Sequence, residues 1–283
     1  MTQPEGQERL SILLIGNTER SEFRQGVRTL GRLGRVVEVS RPEEAADLLG
    51  DDRMLPDVIV IAQSYPAQFP ARSIEHLRRL APLARVVGLL GSWCEGELRT
   101  GRPWPATIRT YWHQWEPRCT EQLGRLGRGE SSAWGLPVTA TEEERLLLQA
   151  AGSRRRRGLV AIHTHSFEMQ DWLSSACRSC GMSTVWLRPP RPARVEGATA
   201  AIFEGSDCRE EQLDELRHLA AALRPAPIVA LLDFPRIEDR RRALSAGAAA
   251  VVSKPLQLED LFWEMDRALE GSAAGVGIAH HDG

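Results

Sequence analysis

The chain has 283 residues, a net charge of −2 and a pI of about 6.4, a length that fits one or two domains. The balanced charge gives no global case for nucleic acid or an anionic membrane as partner. Five cysteines form no disulfide framework in a chain of this length and fit a reduced cytoplasm. The apolar run at 10–16 is too short for a signal peptide or a membrane span, so we expect a cytoplasmic protein.

Strands and helices alternate along the first half of the chain. Apolar runs predict strands at 10–16, 35–39, 56–62, 84–90 and 106–112. Helices are predicted at 18–33, from Ser40 with Glu43 completing a capping box, and near 117–127. Because the strands are continuous apolar runs, they fit a parallel sheet with helices on both faces.

The second half repeats this order of elements. Its predicted strands are 158–163, 183–188, 198–203, 227–232 and 249–253, and its helices lie near 166–180, 207–223, 235–246 and 257–270. The sequence therefore predicts two α/β domains of the doubly wound, flavodoxin-like type, each with a five-stranded parallel sheet. The predicted boundaries are a domain at 9–128, a linker with a short helix at 129–157, a domain at 158–271 and a flexible tail at 272–283.

A more specific pattern lies near the C-terminus. Ala243-Leu-Ser-Ala-Gly247-Ala precedes a strand, and Lys254-Pro255 and an amphipathic helix follow it. This order and spacing resemble the C-terminal half of a response-regulator receiver domain. The run PDVIVIA at 56–62 resembles the third strand of the same family. The resemblance implies two degenerate copies of a CheY-like fold in tandem.

The resemblance also implies which residues stand at the phosphotransfer positions. Receivers use paired acids to hold Mg²⁺, an aspartate after strand three to accept the phosphoryl group, and a hydroxyl and a lysine to bind its oxygens. Glu204 takes the acceptor place in the second domain, whereas the first domain has Ala62 there. At the other positions that would bind the phosphoryl oxygens, Asp233 ends strand four in place of the hydroxyl residue. Of these positions, only Lys254 and Pro255 match the family.

The metal-binding acids of the family are also replaced. His163, Thr164 and His165 follow the first strand of the second domain, and Gly16-Asn17 follows that of the first. Imidazole is a poor ligand for Mg²⁺, so we expect neither a metal nor a cofactor. Only nine residues, 189–197 with three prolines, join strands two and three of the second domain. That domain is therefore predicted to lack its second helix and to leave one sheet face open.

The first domain carries a tryptophan-rich insertion between strands four and five. Five of the eight tryptophans fall in 93–134. Trp and Arg are frequent at interface hot spots, and ligands of open α/β sheets bind beyond the carboxyl ends of strands. The candidate binding surface consists of Trp93, Glu95, Glu97, Arg99, Arg102, Trp104 and His113. The alternative is an irregular loop that its own aromatic residues hold together.

These observations favour a non-catalytic protein of two-component signalling, not an enzyme, that acts through a protein partner. A homodimer through 235–270 is a further expectation, whereas nucleic acid is not expected despite the arginine run 154–157. Two alternatives stay open. One is a genuine phosphoacceptor that uses a displaced acid such as Asp207 or Asp233, and the other is a small-ligand sensor or enzyme that uses the 91–115 loop.

Overall fold

The computed structural model describes residues 9–51, 54–97, 101–105, 107–136, 140, 155–189 and 195–276, with backbone alone for 272–276. The chain divides into two compact units between Gly152 and Ser153. Each unit contains one five-stranded sheet in which all neighbouring strands are parallel. None of the helices among the described residues is long and apolar enough to cross a membrane.

The first unit alternates strands and helices as its sequence predicts. Its elements are β1 (Leu10–Ile15), α1 (Arg24–Leu33), β2 (Gly34–Val39), α2 (Pro42–Gly50), β3 (Val58–Gln63), α3 (Ala71–Leu80), β4 (Arg85–Leu90), β5 (Ile108–Tyr111) and α4 (Trp115–Gly127). The strand order is β2-β1-β3-β4-β5, which is the flavodoxin-like order. All six residues of β3 are buried, as expected for a central strand covered on both faces.

The second unit repeats the same topology. Its elements are β6 (Leu159–His163), α5 (Phe167–Ser179), β7 (Ser183–Leu187), β8 (Ala198–Glu204), α6 (Glu210–Leu223), β9 (Ile228–Asp233), α7 (Ile237–Ser245), β10 (Ala250–Lys254) and α8 (Leu258–Val276). The strand order is β7-β6-β8-β9-β10, which again places the first strand of the unit between its second and third. One buried cluster packs α6 and α7 on one face, and another packs α5 and α8 on the other.

Two helix starts differ from the prediction. Helix α1 begins at Arg24 and not at 18, because the preceding residues form a turn. The backbone N–H of Glu19 donates to the Asn17 side chain, and that of Phe23 donates to the Arg20 carbonyl. The capping box predicted for Ser40 and Glu43 is wrong. Arg41 is the N-cap of α2, and the backbone N–H of Ser40 donates to Glu44 instead.

The described ends of the predicted linker are fixed to the two units. Trp134 is buried with its ring centroid 5.9 Å from that of Trp115, and Gln122 accepts hydrogen bonds from Ser132 and Ala133. At the other end, Arg156 pairs through two nitrogens with Asp266 of α8 at 2.9 Å. The short helix predicted near 141 lies outside the described residues.

Two further boundaries bear on the predicted site. Helix α8 continues to Val276, five residues into the segment predicted as a flexible tail. Between β7 and β8, the described residues 188–189 and 195–197 contain no helix. Residues 190–194 lie outside the described part, so the missing second helix and the open sheet face stay predictions.

Candidate functional site

The carboxyl ends of three neighbouring strands of the second unit meet in one charged cluster. Strands β8 and β10 flank β9, so Glu204 and Lys254, at their ends, reach each other across the end of β9. The Lys254 ammonium contacts Glu204 Oε1 and lies 3.1 Å from Asp233 Oδ1. Thr164 Oγ1, just after β6, donates to Glu204 Oε2 at 3.0 Å. Both oxygens of the Glu204 carboxylate therefore have partners.

The two carboxylates beside Lys254 differ in their exposure to water. The side chains of Lys254 and Glu204 are 13% and 16% exposed, whereas that of Asp233 is 47% exposed. A charge pair that is mostly withdrawn from water is screened little, and removal of one member leaves the other charge buried without compensation. Lys254–Glu204 is therefore the tight pair of the cluster, and Asp233 is its solvent-screened neighbour.

The backbone around this cluster has an unusual conformation. Phe234 follows Asp233 with a φ of 43°, in the left-handed region that a bulky side chain rarely adopts. Its N–H bonds the Lys254 carbonyl at 3.4 Å, and its side chain is 59% exposed. Lys254 and Pro255 are joined by a cis peptide bond. The end of β9 thus presents an exposed aromatic ring directly beside the charged cluster.

The positions of the family's metal-binding acids hold other groups here. His163 and Thr164 are fully buried, and the exposed His165 has its Nε2 3.5 Å from Glu215 Oε2. Among the described residues no three His, Cys, Asp or Glu side chains group as a metal site would require. Imidazole and hydroxyl groups do not replace the hard carboxylate oxygens that Mg²⁺ prefers.

In the first unit the corresponding corner is closed. Ala62 is fully buried, and Gly16 has a φ of +117° with its backbone against it. A Cβ at Gly16 would lie 2.5 Å from the Ala62 carbonyl oxygen, so only glycine fits there. The methyl group of Ala62 cannot accept a phosphoryl group.

A buried polar network lies next to this closed corner. Glu97 Oε2 accepts a hydrogen bond from Arg109 Nη2 at 2.6 Å, and its Oε1 accepts one from Gln63 Nε2 at 3.3 Å. Gln63 is the last residue of β3 and is 1% exposed. The roles of Gln63 and Arg109 in this buried network were not predicted from the sequence. Gln63 ends β3 and Arg109 lies within β5, and Glu97 lies in the loop that precedes β5. Two polar residues at predicted strands, together with an acid in that loop, were the signal that could have indicated them.

Two of the residues predicted as a binding surface are buried. Glu97 and Trp104 are 4% and 5% exposed, and the indole nitrogen of Trp104 donates to the Phe69 carbonyl. Those two assignments were wrong, because one side chain joins the buried network and the other fills the core. Trp93 is 69% exposed and Arg102 is also exposed, whereas Arg99 lies outside the described residues.

The remaining two members of that set form a local pair. His113 Nε2 lies 3.6 Å from Glu95 Oε1, and its ring stacks on Tyr111 with centroids 5.9 Å apart. Cys94 does not join them, because its thiol donates to the Gln63 carbonyl at 3.4 Å. Burial raises the pKa of Cys94 to about 12, so the thiol is protonated at neutral pH and is a poor nucleophile.

The segment 235–270 of the second unit mixes exposed and buried groups. Phe262 is 6% exposed under the Arg156 guanidinium and belongs to the core, whereas Trp263 is partly exposed with Arg267 over its ring. Three charged side chains of the segment are buried within the chain, namely Arg240, Asp260 and Glu264. A homodimer through this segment stays a prediction, and these buried groups are not available to it.

No protein-family model matches the chain, and no curated protein matches its sequence. Among solved structures, NtrX from Brucella abortus is 16% identical with a TM-score of 0.36, over 44% of this chain and 29% of that one. The signal receiver domain of a histidine kinase from Syntrophus aciditrophicus is 21% identical with a TM-score of 0.33, over 40% of this chain and 91% of that one.

A third structure covers both units. It is a putative two-component system response regulator/GGDEF domain protein, 14% identical with a TM-score of 0.37, over 93% of this chain and 99% of that one. The chain spans less than a third of NtrX but nearly all of the other two proteins. The fold itself rests on the strand order of both sheets, which is that of CheY. The chain is thus similar to response-regulator receiver domains, in two consecutive copies.

Proposed function

We propose that the chain is a non-catalytic signalling protein of the response-regulator type, which acts through protein contacts while its second unit is held in one state. The observation that carries this proposal is the Lys254–Glu204 pair. At the place where receivers have their phosphoacceptor, both oxygens of a carboxylate are already bound, one by Lys254 and one by Thr164.

The chemistry of the cluster supports this reading. In a receiver the lysine binds a phosphoryl group that arrives on an aspartate, and the added negative charge reports the signal. Glutamate is one methylene longer than aspartate, and its carboxylate places a permanent negative charge beside the lysine. The described residues next to it offer hydroxyl and imidazole groups in place of Mg²⁺-binding acids. The cluster is therefore suited to hold a shape and not to transfer a group.

The test is incubation of the full chain with acetyl phosphate and Mg²⁺, followed by intact mass. We expect no change in mass, while a control receiver treated in parallel gains one phosphoryl group. A gain of one phosphoryl group by this chain would contradict the proposal.

A second candidate function is a phosphoacceptor that uses Asp233. One observation favours it, namely that this carboxylate is 47% exposed and contacts Lys254. If the mass does increase, Asp233→Asn should abolish the gain. Asp207→Asn is the matched control, because the Asp207 carboxylate already accepts the Arg209 N–H and pairs with the Arg209 side chain.

A further inference from the structure

His163 is a buried polar side chain for which the proposed function gives no role. It ends β6, in register with Leu187 of β7 and Phe203 of β8, and it is fully buried. Its ring stacks on Phe203 with centroids 5.3 Å apart and an interplanar angle of 15°. Neither ring nitrogen has a hydrogen-bond partner among the described residues. A buried polar group without a partner is destabilising and is rare in folded proteins.

Burial disfavours a positive charge on His163, although two carboxylates lie near it. Glu215 faces it from α6, Glu204 from β8 and His165 from its own connection, while β7 contributes the apolar Leu187. Burial lowers the pKa of His163 below the ordinary 6.5, Glu215 partly offsets this shift, and His165 adds to it. Glu215 is already engaged by His165, and Glu204 by Lys254 and Thr164. The imidazole is therefore neutral in the folded chain at neutral pH.

His163 is joined directly to the charged cluster through the next residue. Thr164 donates its hydroxyl to Glu204 Oε2 at 3.0 Å, and its carbonyl accepts the Trp186 indole N–H at 3.1 Å. The backbone between His163 and Thr164 is a single peptide unit. An outward movement of the His163 ring therefore strains both of these hydrogen bonds.

We propose that His163 is an acid-sensitive latch, whose protonation expels the ring from the core and releases the end of β6 from Glu204 and Trp186. The step transfers one proton from solvent to an imidazole nitrogen and breaks no covalent bond. The imidazolium has two N–H donors and a charge, and it gains water only by leaving the stack on Phe203. This proposal does not depend on the proposed function. The acetyl phosphate experiment tests only the proposed function, and the pH experiment tests only the role of His163.

The direction of the pH effect follows from the lowered pKa. An unfolded histidine titrates near 6.5, whereas His163 binds its proton only at lower pH in the folded chain. Between these two values the unfolded state holds more protons, so the free energy of unfolding falls as the pH falls below about 6.5. Above that pH the contribution of His163 to stability is fully present.

The test follows the Trp186 indole N–H resonance in a ¹⁵N correlation spectrum of the full chain between about pH 7.5 and pH 5.5. Trp186→Phe assigns the resonance. In the wild type we expect it to shift or broaden on acidification, together with a drop in the denaturant midpoint. In His163→Phe, which keeps an aromatic ring on Phe203 but cannot titrate, both changes should be lost. The matched control His165→Asn should keep them, because His165 is exposed.

Equal pH responses of the wild type and His163→Phe would overturn the proposal. If that variant does not fold, ¹³C-histidine spectra of the wild type decide the question. The His163 resonance, assigned by its contact with Phe203, should titrate below the ordinary histidine pKa of about 6.5. A His163 resonance that titrates at or above about 6.5 would equally overturn the latch.

Discussion

Lys254 shows how the environment of a residue decides what that residue can do. It faces two carboxylates, but only Glu204 is both largely buried and held by a second donor, Thr164. A lysine followed by proline at the end of a buried strand could be recognised in the sequence. The hydroxyl of Thr164 could not, because its direction depends on how the chain turns after β6.

We predict that Lys254→Met destabilises the chain by about 3 kcal/mol, because Glu204 keeps a buried charge without a counterion. Denaturant unfolding measures the change. Asp233→Asn is the matched control and should cost less than about 1 kcal/mol, since that carboxylate is half exposed.

A double-mutant cycle separates the pair from its surroundings. Because Glu204→Gln removes the charge that Lys254→Met leaves behind, the double variant should lose less than the sum of the single losses. Additive losses would mean that the two side chains do not interact in solution.

The strands were predictable because their signal is local and strong. Continuous apolar runs such as Val58–Gln63 are typical of buried strands, and their alternation with helices then predicts a parallel sheet. Helix ends were less predictable. Ser40 looked like a cap, but the helix starts at Pro42 after Arg41, since caps depend on the local backbone more than on residue type.

Arg156 illustrates a contact that no local pattern indicates. It lies in an arginine run that resembles a solvated linker, yet it binds Asp266 and covers the ring of Phe262, more than one hundred residues along the chain. Both partners sit on α8, which thereby ties the start of the unit to its last helix.

We predict that Arg156→Ala lowers the free energy of unfolding by about 2 kcal/mol, because a charge-assisted pair and a cation–π contact are lost. Arg155→Ala is the neighbouring control on an exposed side chain and should stay within about 0.5 kcal/mol of the wild type. Equal effects of the two substitutions would show that the Asp266 contact contributes nothing.

At the scale of the whole molecule, the sequence predicted two similar folds but not how the corresponding corners of the two units differ. The first unit fills its corner with backbone, and the second keeps a charged pair there. The sequence also did not show that Trp104, a member of the predicted binding surface, is buried together with Trp112, Trp115 and Trp134. Burial of an aromatic residue in a loop cannot be read from composition.

Trp93 remains the exposed aromatic residue of that region. If the first unit binds a protein partner beyond the carboxyl ends of its strands, Trp93→Ala should abolish capture of one specific protein from native extract. Leu83→Ala is the control, because Leu83 is 89% exposed and lies before the opposite end of β4. Unchanged capture by Trp93→Ala would remove this surface as the docking site.

The contact of Gly16 with the Ala62 carbonyl has a consequence for the history of the two units. A carboxylate introduced by Ala62→Asp would start from a fully buried position beside backbone, where an unpaired charge is costly. At the matching place in the second unit, Glu204 already has Lys254 beside it. If both units descend from phosphoacceptors, as the proposed function implies, the first unit would need more changes than the second to become one again.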